Sequence, residues 1–386
     1  MIGHITLPPR LKVGANALAE LPQLLKDLGS EYPLIITDQT MVELGYADRL
    51  TKLLKHASVA YNVFADTQAE PTAASLQNGI ELARGERHDS LIALGGGSPI
   101  DSAKAIALLS VYGGKIRDFC VPNIVQKKGL PVIAIPTTAG TGSEATKFTI
   151  ITDETNDEKL LCAGPAFMPA AALIDYTLTL SLPPRITADT GIDALTHAIE
   201  AYVSRKATPF SDTQALSAMG LLAPNLRRVY HDGSDETARE AMMLGSTLAG
   251  IAFSNASVAL VHGMSRPIGA HFHVPHGLSN AMLLPTLTAW SIPGSPQRYA
   301  ACARAMGLCG AEHSEAEACE RLCSELTQMN QDLEVPTPAA YGIDQATYLN
   351  KLPLMAEQAK ASGSPANNPR IPTEAEMITL YEQIWT

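Results

Sequence analysis

The stretch Ser90-Leu91-Ile92-Ala93-Leu94-Gly95-Gly96-Gly97-Ser98 sets the fold class. A short apolar run ending in glycines predicts a buried strand, and Ile100 to Leu109 behind it has helical character. Working outward, Tyr32 to Thr37 (YPLIIT), Ser58 to Phe64 and Pro131 to Ile135 (PVIAI) predict further strands. Between them, Leu44 to Lys55 and Thr72 to Arg84 carry helical patterns. Strands alternating with helices imply parallel pairing under a helical cover, a doubly wound α/β sheet.

The character changes where Leu182-Pro183-Pro184 punctuates the chain. Strand-like runs almost vanish, and Ala188 to Ser204, Ser211 to Val229, Thr237 to Ala259 and Gln297 to Gln328 read as helices rich in alanine, leucine and methionine. Ser362 to Pro372 predicts a loop before a final helix. The expected division is an α/β domain over 1–182 and an all-helical domain over 183–386.

Hydrophobic residues make up 46% of the 386, and charged residues 17%, which fits a folded protein rather than a disordered one. A net charge of -11 argues against general affinity for nucleic acid or anionic membranes, but leaves room for a local basic site. No window holds the ~20 apolar residues of a transmembrane helix, and Met1-Ile2-Gly3-His4 does not open a signal peptide, so the expected location is the cytoplasm. The six cysteines form no C-x-x-C pair and read as buried or inert thiols in a reducing compartment.

Gly95-Gly96-Gly97-Ser98 precedes a helix start, whose unpaired N–H groups suit a pyrophosphate. It is not G-x-G-x-x-G, and a tight turn without a ligand gives the same glycines. A second turn, Thr137-Thr138-Ala139-Gly140-Thr141-Gly142-Ser143-Glu144, clusters hydroxyls at the carboxyl end of the Pro131 strand, where open α/β sheets bind ligands. Asp38 ends the first strand; its carboxylate suits ribose hydroxyls and repels a 2′-phosphate, favouring NAD over NADP, or else it caps the following turn.

In the helical half, Asp193 and His197 stand four apart, on one face of a helix. Alone, that spacing also fits an ordinary Asp–His hydrogen bond. His262 and His276 sit beside glycines in apolar surroundings. One carboxylate with neutral imidazoles suits Fe(II), Zn(II), Mn(II) or Co(II) better than Mg(II) or Ca(II).

These landmarks occur together, and the chain resembles the iron-containing alcohol dehydrogenases, the group that includes lactaldehyde reductase and 1,3-propanediol dehydrogenase. The likeness runs nearly end to end. It is carried by Gly95-Gly96-Gly97-Ser98 with Asp101 and Lys104, Pro136-Thr137-Thr138-Ala139-Gly140-Thr141, Asp193-Ala194-Leu195-Thr196-His197-Ala198-Ile199-Glu200, Val261-His262-Gly263-Met264 and Pro275-His276-Gly277. The resemblance implies a Rossmann-like N-terminal domain and an all-helical C-terminal domain, the dehydroquinate synthase-like fold. It further implies NAD(P)-linked hydride exchange between a small alcohol and its aldehyde or ketone, in a homodimer or larger assembly; Asp38 is what favours NAD(H) over NADP(H).

By the same resemblance Asp193, His197, His262 and His276 hold Fe(II), with Zn(II) the alternative. Asp38, Gly96, Gly97, Ser98, Asp101, Thr137, Thr138, Thr141 and Lys159 meet the dinucleotide, and Phe253 lines the substrate pocket, for which Arg266 and His273 are further candidates from this chain's own residues. Two positions depart from the pattern. Arg266 replaces a histidine commonly found four residues after the third ligand; it either contacts an anionic substrate tail, makes a structural ion pair or faces solvent. Glu70-Pro71-Thr72 replaces Asn-Pro-Thr near the cofactor. Two other readings keep the fold: a nucleotide- or metal-binding protein without turnover, and a glycerol-dehydrogenase-like zinc enzyme.

Overall fold

The run at Ser90 forms a central strand of a six-stranded parallel sheet in the computed structural model, which describes residues 4–85, 87–155 and 158–386. Its strands are β1 (Leu11–Val13), β2 (Pro33–Ile36), β3 (Asn62–Phe64), β4 (Ser90–Gly95), β5 (Val132–Pro136) and β8 (Ala171–Ile174), in the order β1-β8-β5-β4-β2-β3. A separate antiparallel hairpin joins β6 (Phe148–Asp153) to β7 (Glu158–Ala163). Between the strands run α1 (Leu21–Leu28), α2 (Gln39–Glu43), α3 (Tyr46–His56), α4 (Gln77–Gly85) and α5 (Gly97–Tyr112).

Period-two alternation divides the sheet's side chains between two faces. Ile35, Ile92, Leu94, Ile133, Ile135 and Leu173 join Leu21, Leu24 and Leu25 of α1 and Leu50 and Leu54 of α3 in one core. Each such side chain taken from water contributes roughly 1.5–3 kcal/mol. Along the chain β3 follows β2 to one side while β4 lies on the other, so strand order reverses between β2 and β4. Ligands of open α/β sheets bind at the carboxyl ends of strands at that reversal, which here are Asp38 and Gly95.

The chain divides into two compact units, with Ile5–Leu182 in one and Pro183–Thr386 in the other. The second contains α6 (Pro184–Val203), α7 (Pro209–His231), α8 (Glu236–Ala256), α9 (Leu260–Phe272), α10 (His276–Ser291), α11 (Pro296–Ala305), α12 (Glu315–Asp332), α13 (Pro338–Tyr341), α14 (Gln345–Ala361) and α15 (Glu374–Gln383). No strand forms among the described residues of this unit. Helix α6 is buried over most of its surface, so the polar side chains on it need partners within the protein. No single helix among the described residues is long and apolar enough to cross a membrane.

Several expected boundaries move. The helix expected over Gln297 to Gln328 is two, because α11 closes at Gly307 with Leu308 N–H bonding to Ala303 O and Gly307 N–H to Arg304 O. A capping box between Ser314 and Glu317 then starts α12. Thr237 to Ala259 ends early at Ala256, where Ser257 adopts a φ of 66°. The helix expected from Thr72 begins at Gln77, since Thr72 is bridged to Thr152, and the strand expected from Ser58 pairs only over Asn62–Phe64. Strands β1, β6, β7 and β8 were not expected at all; three to six residues each, they carry too little pattern to separate from loops. Ser362 to Pro372 is irregular save for one 3-10 turn at Pro365–Asn367.

Candidate metal and dinucleotide sites

Three helices bring the metal candidates together. Asp193 and His197 lie on α6, His262 on α9, and His276 is the first residue of α10. Ligand atoms of Asp193, His262 and His276 all lie within 4.8 Å of one another. Asp193 Oδ1 stands 3.3 Å from His262 Nε2 and 3.7 Å from His276 Nε2. Gly277 makes this approach possible: a Cβ there would come 2.2 Å from the Asp189 carbonyl oxygen on α6. His197 is less closely drawn in, with Nδ1 3.8 Å from Asp193 Oδ1, its ring stacked between Phe253 at 4.1 Å and His262 at 4.4 Å.

Asp193 is buried, which pushes its carboxyl up, yet the imidazoles of His197, His276 and His262 outweigh burial and hold it well below the usual carboxylate range. An ionised carboxylate and imidazole lone pairs converging in a buried spot fit a divalent transition ion. One further observation agrees. Asn280 Nδ2 donates to Asp193 Oδ1 at 2.7 Å and approaches His262 Nε2 at 3.1 Å, so converging acceptors surround a single donor. Its Oδ1 is buried without a hydrogen-bond partner among the described residues.

The dinucleotide candidates belong to the other unit. Gly96 and Gly97 open α5, and a Cβ on Gly97 would lie 2.9 Å from Thr141 Cγ2, so the two turns are in contact. Thr137 N–H donates to Gly95 O at 3.0 Å, and its buried hydroxyl has no partner among the described residues. Thr138 packs 3.4 Å from the Cβ position of Gly96. Asp38 caps α2, accepting from Met41 N–H at 2.9 Å.

Asp101 faces inward instead. One oxygen accepts from Ser143 Oγ at 2.6 Å and the other from Ile150 N–H at 2.8 Å, which leaves it pinning the second turn. Lys104 Nζ completes that pin, with five oxygens of Ser143, Thr146 and Phe148 within 3.1 Å. Burial pushes the Lys104 ammonium down to about 8, against the pull of Asp101 and Glu144. Ser98 Oγ accepts from Glu70 N–H at 3.3 Å, and Lys159 Nζ on β7 bonds Glu70 Oε2 at 2.7 Å and Thr152 Oγ1 at 3.0 Å.

Two family patterns match the chain: iron-containing alcohol dehydrogenase over residues 8–176, and the C-terminal part of the Fe-containing alcohol dehydrogenase family over 187–385. This chain belongs to the iron-containing alcohol dehydrogenases. It is 39% identical to a long-chain-alcohol dehydrogenase of Geobacillus thermodenitrificans, over 99% of this chain and 96% of that protein. An NAD-dependent methanol dehydrogenase of Bacillus methanolicus is 34% identical, over 97% of this chain and 98% of its own length. Among solved structures, a 1,3-propanediol oxidoreductase superposes with a TM-score of 0.95 at 31% identity, covering all of both chains. The family assignment makes the chain an oxidoreductase of the alcohol dehydrogenase class and lends nothing to a binding protein without turnover.

Within this alcohol dehydrogenase the structure adds two residues to which the sequence reading gave no role. Glu200 lies two turns from Asp193 on α6 and accepts from the backbone N–H groups of Ala259 at 3.0 Å, Val261 at 2.5 Å and His262 at 3.3 Å. It also takes His262 Nδ1–H at 2.7 Å. That bond leaves Nε2 as the lone-pair nitrogen facing Asp193. Burial pulls the His262 imidazole down, but the neighbouring carboxylates of Asp193 and Glu200, which favour its protonated form, raise it overall. Asn280 is the second, one turn after His276. The signal for both was available: a charged or amide side chain inside an otherwise apolar helical run.

The pocket candidates separate. Phe253 on α8 touches His197. Arg266 lies one turn past His262, its Nη1 3.3 Å from Ser364 Oγ. His273 is exposed at the C-cap of α9 with a φ of 54°.

Proposed function

We propose that this chain catalyses reversible, NAD(P)-linked oxidation of a small alcohol to its aldehyde or ketone, with Asp193, His197, His262 and His276 holding a divalent ion, Fe(II) first and Zn(II) second. The convergence of Asp193, His262 and His276 carries this reading. When bound, the ion supplies a positive charge at the substrate oxygen and the dinucleotide exchanges the hydride. The protein's own part is alignment. Glu200 fixes the tautomer of His262, Asn280 orients the Asp193 carboxylate, and Phe253 backs His197 where substrate would pack. Arg266 has no acceptor atom and stays protonated, so it takes no proton from the alcohol.

Gly96, Gly97 and Ser98 would meet the pyrophosphate at the start of α5, with Thr137, Thr138 and Thr141 beside them. Asp101 supports that reading through the turn it braces, not by direct contact. NAD is favoured because Asp38 sits at the end of β2, where its carboxylate would repel a 2′-phosphate. Lys159 reaches the dinucleotide only if Glu70 releases it.

Cytoplasmic location and a homodimer or larger assembly complete the reading. Support for the assembly is the sheet's edge strand β1, where Leu11 is 37% and Val13 50% exposed. Metal analysis of protein purified without chelator, with NADH and NADPH absorbance assays on an aldehyde panel, tests the whole. His262→Ala should abolish turnover while NADH still binds; undiminished turnover by metal-free protein would overturn the proposal.

A further inference from the structure

Arg266 takes no part in the alignment roles above. Four residues after His262 on α9, its side chain leaves the helix on the same side, about 6 Å further along the axis. Arg185, Arg227 and Arg298, partly buried arginines of the same unit, each hold a carboxylate oxygen within 2.6 Å. Arg266 has no such ion pair among the described residues, and its hydrogen bond is the single long contact to Ser364 Oγ. Glu200 exerts a pull on it, but that carboxylate is committed to the start of α9 and to His262.

The turn that the guanidinium touches is held in place. A Cβ on Gly263 would meet Pro365 at 2.7 Å, so the Ser364–Pro365 turn lies directly on α9. Asn367 fastens that turn through Nδ2 to Ser257 Oγ at 3.1 Å and Val258 O at 3.0 Å. A partly buried cation with most of its five donors unmet needs water or an anion to complete it. Planar two-oxygen acceptors match the fork best.

On the alcohol dehydrogenase reading above, we propose that Arg266 forms an anion subsite beside the metal cluster. The preferred substrates are then short aldehydes or alcohols bearing a carboxylate, sulfonate or phosphonate, separated from the reacting carbon by a spacer of roughly one to three carbons. Guanidinium and anion pair while the carbonyl end reaches the ligand cluster, which also fixes which end of the molecule reacts.

The test compares kcat/KM for 4-oxobutanoate and sulfoacetaldehyde with that for uncharged pentanal and butanal, in the metal-loaded enzyme. Wild type should favour the anions, and Arg266→Met should cut the anion-to-neutral ratio about a hundredfold. Arg266→Lys, which keeps the charge but not the fork, should recover part of the ratio. An unchanged ratio in both variants, or a wild type that prefers the uncharged aldehydes, overturns the subsite. Should no aldehyde be reduced at all, the enzymatic reading fails separately. Calorimetric binding of 3-hydroxypropane-1-sulfonate to wild type and Arg266→Met then decides the subsite alone: equal affinity sinks it, loss in the variant upholds it.

Discussion

Lys104 in the α/β unit and Arg266 in the helical unit are both cations drawn out of water, and they are treated in opposite ways. Lys104 is enclosed by five oxygens of Ser143, Thr146 and Phe148, at and just beyond the second glycine-bearing turn, with Asp101 4.0 Å away. Arg266 meets one hydroxyl. A buried charge with every donor matched is part of the fold's own framework, whereas one with donors to spare is completed by water or by a ligand. The same contrast separates Asp101, both oxygens of which are bonded within the protein, from Thr137, whose buried hydroxyl lacks a partner among the described residues.

The contrast breaks most visibly at Lys104. Lys104→Met should lower unfolding stability by about 3–5 kcal/mol, because it strands Asp101 and several carbonyls at once. Urea denaturation followed by circular dichroism measures this, and an unchanged midpoint would mean the cage is incidental. Glu200→Gln comes next in size. Removing the charge that orients His262 should weaken metal binding 10–100-fold, read by competition with a chromophoric chelator. Wild-type affinity in that variant would reduce Glu200 to a helix cap.

Smaller effects sharpen the picture at the cofactor side. Glu70→Asn removes the ion pair to Lys159, whose acid is 53% exposed, so the KM for NADH should fall only a few-fold, within the ~1 kcal/mol of a surface pair. A rise in KM would assign Glu70 itself to the dinucleotide. Smallest of all, Arg266→Met should leave unfolding stability within about 1 kcal/mol of wild type, or slightly above it, since an unmet charge is exchanged for an apolar chain. A large loss would show that Arg266 belongs with Lys104 after all.

What could be read from the sequence followed from how each feature is encoded. The parallel sheet was legible because buried strands such as Leu91–Leu94 are continuous apolar runs. Asp193, His262 and His276 were legible because ligand chemistry needs particular side chains, whatever surrounds them. By contrast β1 and β8 are short, and their pairing joins residues far apart in the chain, as in Leu11 with Ala172. No local pattern records such a partner. The resemblance assigns Asp101 to the dinucleotide, yet its direction depends on Ser143 and Ile150, which only the folded turn brings within reach. Glu200 shows in the sequence only as a carboxylate in an apolar helical run, without its partners. Its partners are backbone amides some sixty residues on, and amides leave no trace in a sequence.

That carboxylate ties two equilibria into one. Glu200 grips both the first turn of α9 and the ring of His262, so anything that tightens the ligand cluster also tightens the Ala259–His262 backbone. By linkage, an ion that binds only the closed arrangement adds its binding free energy to the order of that turn. The amide of Val261 thereby becomes a local gauge of loading: its hydrogen exchange should slow when metal is present and quicken on chelation, one residue before the proposed ligand His262.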